Sequence, residues 1–152
     1  GITIAQNLSK AFSIPIKFVG PQNLKNQLKK DNPLAEYIHT VNDNERKELL
    51  ANAKALIMPS LYAEPCGWSM IEAFISGTPV LSTDWGGLAE YNIHGQTGFR
   101  CRSLNEFYHA LGIIDKQKRR TKSRVYRLRY FFKNSPYTRI GASRLFANPF
   151  SQ

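Results

Sequence analysis

Glu64 and Glu72 lie eight residues apart in LYAEPCGWSMIEAFISGTPV (61–80), the first in a Pro/Gly turn and the second in a helical pattern. Between them the chain passes from loop to helix near Gly67 or Trp68. The first backbone N–H groups of a helix have no intrahelical acceptor and carry the positive end of its dipole. Gly67, Trp68 and Ser69 therefore offer donors to a phosphate, and Gly67 has no side chain to hold the anion away. An ionised carboxylate only accepts hydrogen bonds, and its two oxygens suit a pair of adjacent hydroxyls. On one straight helix the two acids would stand roughly 12 Å apart, but a loop lets Glu64 swing to the far side of the anion. Two carboxylates around a diphosphate site match a ligand with a diol at each end, as in a hexose–pyrophosphate–ribose nucleotide sugar. Spacing alone leaves a plainer reading open, in which the dipole favours an acid near a helix start and Glu72 is a solvated helix residue.

The elements that must position these groups alternate. ITIAQNLSKAF places Ile4, Leu8 and Phe12 on one helical face, and IPIKFVG is a β-branched run ending in Gly-Pro. QNLKNQLKK suits a helix, and AEYIHTV reads as a second strand. NDNERKELLANA opens with Asn42 three residues before Glu45, the spacing of a capping box. ALIMPS and TPVLSTD read as further strands, WGGLAEYN as a turn and short helix, and TGFRCR as a fifth strand. SLNEFYHALGII closes the series as a helix with Ser103 and Glu106 spaced for another capping box. Strands separated by helices predict an α/β, Rossmann-like fold with a mostly parallel sheet covered by helices on both faces. Gly1 opens directly on a helix where a doubly wound unit opens on a strand, so a first strand is expected upstream.

Bulk properties narrow the class. One domain is expected from 152 residues. The formal charge of +10 is confined to one region: residues 1–115 hold 10 Lys/Arg against 11 Asp/Glu, while residues 116–152 hold 11 Lys/Arg and no acid. The body at 1–115 is thus separated from a basic tail at 116–152. Cys66 and Cys101 form neither a disulfide framework nor a metal-ligand spacing, which predicts a reducing compartment and a cytoplasmic location.

Residues 58–103 resemble the donor-binding, C-terminal half of retaining GT-B-fold glycosyltransferases of family 4. The likeness rests on Pro59, Ser60, Glu64, Glu72, Ala73, Gly77, Thr78, Pro79, Val80, Asp84, Gly86, Gly87, Glu90, Gly95, Thr97 and Gly98 in order. With IKFVG and the run from Glu36 to Leu56, it extends over about 1–115. The resemblance implies that Glu64 is the catalytic-site residue, contacting hydroxyls of the transferred sugar without acting as nucleophile. It implies that Glu72 holds the ribose, and that the amides of Cys66, Gly67, Trp68 and Ser69 hold sugar and diphosphate. The loop of Ile38, His39 and Thr40 would lie against the base. No metal and no cofactor are implied; the nucleotide sugar is the donor, and dipole and basic groups stabilise the departing diphosphate.

Departures from the pattern fall at Cys66, where an aromatic is usual, at Trp68, where an aliphatic is usual, and at His39 and Gln22, where glycine is common. A thiol beside a helix N-terminus has a route to a lowered pKa, although Cys66 reads first as a packing residue. The Arg and Lys that grip the diphosphate in this family, and its acceptor-binding N-terminal domain, would precede Gly1. Without them the chain is expected to bind donor weakly and not to transfer sugar. A non-catalytic nucleotide-sugar-binding or interaction module with the same fold is the alternative. The tail interleaves basic residues with Tyr126, Tyr130, Phe131 and Phe132. It is expected to be a partly disordered end or to pack on the absent domain, with contact to an anionic membrane surface as the second reading and nucleic acid as the least favoured.

Overall fold

The computed structural model describes residues 1–20, 28 and 32–116, all within one compact unit, Gly1–Lys118. The basic tail beyond 116, most of the QNLKNQLKK segment and Gln22 lie outside the described residues. Among the described residues, five strands and five helices follow the expected alternation. They are α1 (Ile2–Phe12), β1 (Ile16–Val19), β2 (Ala35–Ile38), α2 (Asp43–Asn52) and β3 (Leu56–Met58), then α3 (Trp68–Ile75), β4 (Val80–Thr83), α4 (Gly86–Tyr91), β5 (Gly98–Cys101) and α5 (Leu104–Lys116).

All pairings among them are parallel, as βαβ connections require. The strands form two sheets, however, where one was expected: β1–β2, and β3–β4–β5. Among the described residues β1 and β3 do not pair with each other, and each has one edge without a described partner. Burial follows that division. β4, flanked on both sides, is buried at all four positions, whereas the apolar Leu56, Ile57 and Met58 of β3 are only half-buried.

The core joins helices to strands. Leu8 of α1, Leu81 of β4, Cys101 of β5 and Phe107, Leu111 and Ile114 of α5 form one buried cluster, with Ile4 and Phe12 packed against it. The spacing of Ile4, Leu8 and Phe12 thus does select the buried face of α1. Because strand side chains alternate between faces, Val80 and Ser82 point opposite to Leu81. Asn92, just past α4, meets them there. Its Nδ2 donates to the Val80 carbonyl, to Ser82 Oγ at 2.9 Å and to the Phe99 carbonyl, and Thr97 Oγ1 donates to its Oδ1 at 3.0 Å. This fully buried amide fastens β4 to β5 from the side.

The capping box at α2 is complete: Asn42 accepts from the amides of Asn44 and Glu45, and Glu45 accepts from the Asn42 amide. At α5 it is only half made. The Glu106 amide donates to Ser103 Oγ, but the Glu106 carboxylate accepts from the Arg102 amide, one residue further out. The Gly-Thr-Pro-Val stretch ties two elements together. The Thr78 hydroxyl donates to the carbonyl of Leu50 in α2, and the Pro79 carbonyl accepts from the Leu56 amide at 2.9 Å, which starts the β3–β4 ladder.

Candidate functional site

The loop between β3 and α3 carries Glu64, and its shape is set from below by the start of α4. The Gly87 amide donates to the Glu64 carbonyl at 2.6 Å, and Trp85 Nε1 donates to the Tyr62 carbonyl at 3.1 Å. A Cβ on Gly87 would stand 2.4 Å from the Pro65 carbonyl oxygen and 3.0 Å from the Cys66 nitrogen. The two backbones therefore touch, and the Gly-Gly pair of WGGLAE exists to admit the Glu64 loop. The sequence pattern marked these glycines without supplying that reason.

At the helix start, Gly67 adopts φ 71° and ψ 60°, a left-handed geometry that side chains rarely adopt. This turn aims the chain into α3. The Trp68 and Ser69 amides precede the first intrahelical donors, since Met70 and Ile71 are the residues that bond back to the Gly67 carbonyl. The side chain of Glu64 lies against this corner, its Cγ 3.6 Å from where a Gly67 Cβ would be. Glu64 Oε2 accepts from the Tyr62 hydroxyl at 2.5 Å. That hydrogen bond and the Glu64 charge push the Tyr62 pKa up, keeping the hydroxyl a donor. Tyr62 and Trp68 are both largely exposed, at 63% and 65%, so aromatic surface borders the carboxylate.

Glu72 sits one turn into α3, half-buried, and is not an isolated solvated residue. Arg46 of α2 reaches across, its Nε 3.1 Å from Glu72 Oε1, while its Nη2 binds Asp43 at 2.7 Å. Sequence reasoning missed both Tyr62 and Arg46. A signal for Arg46 existed in its position one turn past the Asn42 cap, but that motif was read only as a helix start.

Of the two readings of Cys66, activation by the helix N-terminus is the one the site does not support. Its thiol is pushed up, first by burial and then by the Glu64 carboxylate, so neither dipole nor basic group activates it. Burial likewise pushes Cys101 up to about 12. Alkylation of Cys66 by iodoacetamide at pH 8 is expected to run slower than that of glutathione. The Glu64→Gln variant should speed it, because a neutral neighbour lowers the thiol pKa. A Cys66 that outpaces glutathione would overturn this electrostatic picture.

Ile38 ends β2, and His39 and Thr40 follow it, both exposed. His39 Nδ1 accepts from the Thr40 amide at 2.5 Å, a local bond that fixes the ring without giving it a catalytic partner. Asp84, at the carboxyl end of β4, is engaged by Arg102 Nε at 2.7 Å and Arg100 Nη1 at 3.4 Å. Among the described residues, no group of three or more His, Cys, Asp and Glu stands together as a metal site. Among them too, no helix is long and apolar enough to cross a membrane.

A parallel α/β unit with strand-end loops leading into helix N-termini is the architecture that binds nucleotides beyond the carboxyl ends of its strands. The family model for glycosyl transferases group 1 matches residues 5–114, and the chain belongs to that family. The unit is accordingly a GT-B-type glycosyltransferase domain, related to nucleotide-sugar transferases of the glycogen synthase and sucrose synthase kind. The chain is 40% identical to the glycogen synthase of Mycobacterium tuberculosis (strain CDC 1551 / Oshkosh) over 65 residues, which is 43% of this chain and 16% of that protein. It is 36% identical to sucrose synthase 5 of Oryza sativa subsp. japonica over 76 residues, 49% of this chain and 9% of that protein. In structure it resembles a glycosyltransferase involved in avilamycin A biosynthesis, with TM-score 0.59 at 22% identity over 88% of this chain and 46% of the other. The chain thus spans a small part of the curated relatives it matches.

Proposed function

We propose that residues 1–115 are the donor-binding half of a retaining, metal-independent glycosyltransferase that takes its sugar from a nucleoside diphosphate sugar. The observation that carries this reading is the corner at Gly67. The Glu64 side chain lies by its Cγ against a left-handed glycine whose helix starts with the Trp68 and Ser69 amides free of intrahelical acceptors, and the Glu72 carboxylate stands a turn further on. In this reading the amides of Cys66, Gly67, Trp68 and Ser69 receive the diphosphate and sugar, Glu64 accepts from hydroxyls of the sugar, and Glu72 accepts from the ribose. Ile38, His39 and Thr40 border the base. The acceptor belongs on a separate N-terminal domain, and the tail at 116–152 packs on that domain or meets an anionic membrane. Residues on one wall alone neither exclude water nor position an acceptor, and positioning is worth several kcal/mol. The isolated chain therefore binds donor without transferring it.

The test is a thermal-shift panel of UDP-, GDP- and ADP-glucose against glucose 1-phosphate. One nucleotide sugar is expected to raise the unfolding midpoint in a saturable way, because a ligand bound only by the folded state stabilises it. If no nucleotide sugar outperforms glucose 1-phosphate, the donor assignment fails. Sugar transfer by the isolated chain would sink the incomplete-wall argument.

A further inference from the structure

Tyr62 and Glu64 hang from one short piece of backbone that is pinned at both residues. Trp85 Nε1 donates to the Tyr62 carbonyl at 3.1 Å, and the Gly87 amide donates to the Glu64 carbonyl at 2.6 Å. Both donors lie between the end of β4 and the first turn of α4. That segment is itself anchored, because Asp84 at its start accepts from Arg102 Nε and pairs with Arg100. The roots of the phenol and of the carboxylate are therefore fixed relative to each other before either side chain is placed.

The last torsion of a glutamate is broad, so a carboxylate without a partner samples many orientations. Here the Tyr62 hydroxyl reaches back across Ala63 and donates to Glu64 Oε2 at 2.5 Å. Among the described residues this phenol is the one group that donates a hydrogen bond to that carboxylate. The bond and the Glu64 charge both raise the Tyr62 pKa, so the proton stays on the phenol through the neutral range. Farther up the side chain, Glu64 Cγ rests at the Gly67 corner. The carboxylate is thus held at its stem by packing and at one oxygen by the phenol. An ionised carboxylate has two oxygens with about four lone-pair sites. One bond to Tyr62 leaves Oε1 whole.

We propose that Tyr62 is a positioning residue for the donor sugar: its hydroxyl holds Glu64 by Oε2 and leaves Oε1 to accept from the sugar. The proposal rests on the donor reading above and adds to it a residue that acts through Glu64 and not on the ligand. Tyr62 stays bonded when the sugar arrives, since the carboxylate accepts from both at once. Ordering a long side chain before the ligand comes removes that cost from the binding step. The opposite arrangement, a phenol that fills the place of a sugar hydroxyl and must leave, predicts tighter binding once the hydroxyl is removed. The two differ in sign.

Isothermal titration of Tyr62→Phe, which keeps the ring and removes only the hydroxyl, reads that sign. The ligands are the nucleotide sugar selected by the thermal panel and the matching nucleoside diphosphate. Affinity for the nucleotide sugar is expected to fall roughly two- to tenfold, the cost of ordering one long side chain at binding. Affinity for the nucleoside diphosphate, which brings no sugar to Glu64, is expected to stay within about twofold. Glu64→Ala should show a loss confined in the same way, and adding Tyr62→Phe to it should cost nothing more, because the two residues act as one unit. Equal losses for both ligands would mean a merely structural role and overturn the proposal. Unchanged or tighter binding of the nucleotide sugar overturns it too. The pairing itself is read without ligand, by alkaline titration of phenolate absorbance. The difference between the wild-type chain and Tyr62→Phe should reveal a phenol that ionises at higher pH than the same difference taken in the Glu64→Ala background. Identical curves overturn the pairing whatever the chain binds. If the curves differ and the wild-type chain takes up no nucleotide sugar, it is the donor reading that fails, and the positioning role with it.

Discussion

Gly87→Ala should lower the unfolding midpoint by roughly 5–15 °C, the consequence of forcing a methyl group into a backbone contact. The added carbon would lie 2.4 Å from the Pro65 carbonyl oxygen and 2.8 Å from its carbon. Neither is the end of a flexible side chain, so the loop must move as a body. Moving it stretches the 2.6 Å bond from the Gly87 amide to the Glu64 carbonyl, and with that displaces the carboxylate from the Gly67 corner. Donor-induced stabilisation should fall with the midpoint. Gly20→Ala supplies the control, since a Cβ there meets nothing within 4 Å and its backbone is not left-handed. It should change stability by less than about 0.5 kcal/mol. Equal midpoints for the two variants in differential scanning calorimetry would show that the loop does not rest on the glycine pair.

Glu72→Ala is expected to remove most of the donor-dependent thermal shift while barely altering the unliganded midpoint. A hydrogen bond to a charged group contributes about 1.5–3 kcal/mol, so affinity should drop by roughly ten- to a hundredfold. The partner variant Arg46→Gln separates binding from stability. Its ion pair with Glu72 is partly exposed, with side-chain exposures of 40% and 32%, and such pairs contribute about 0–1 kcal/mol. Stability should therefore hold, while the freed Glu72 carboxylate binds donor more weakly because its orientation is no longer fixed. Isothermal titration with the nucleotide sugar selected by the thermal panel reads both variants. An undiminished affinity in Glu72→Ala would remove that residue from the site.

Local pattern carried most of the architecture. The period through Ile4, Leu8 and Phe12 located α1 because burial of one face is what makes that helix, and short strand-like runs between turn residues located all five described strands. Pairing was less accessible. Whether β1 meets β3 depends on an edge-to-edge contact between segments some forty residues apart, and neither segment's composition records its neighbour. The site divides in the same way. Glu64, Gly67 and Glu72 were visible because a loop-to-helix junction has a local signature. Arg46 and Tyr62 were not, because each acts through a contact between elements or across a turn. The lowered-pKa alternative for Cys66 falls for a related reason. The dipole argument used the helix alone, whereas burial and the adjacent carboxylate act from the loop.

Asn92 gives the fold one point of chemical ageing. Its amide nitrogen supplies the protons that the Val80 carbonyl, Ser82 Oγ and the Phe99 carbonyl accept. Hydrolysis of that amide to a carboxylate would replace the shared donor by an anion facing two carbonyl oxygens, at a position only 1% exposed to solvent. A single deamidation there would therefore act as a wedge between β4 and β5.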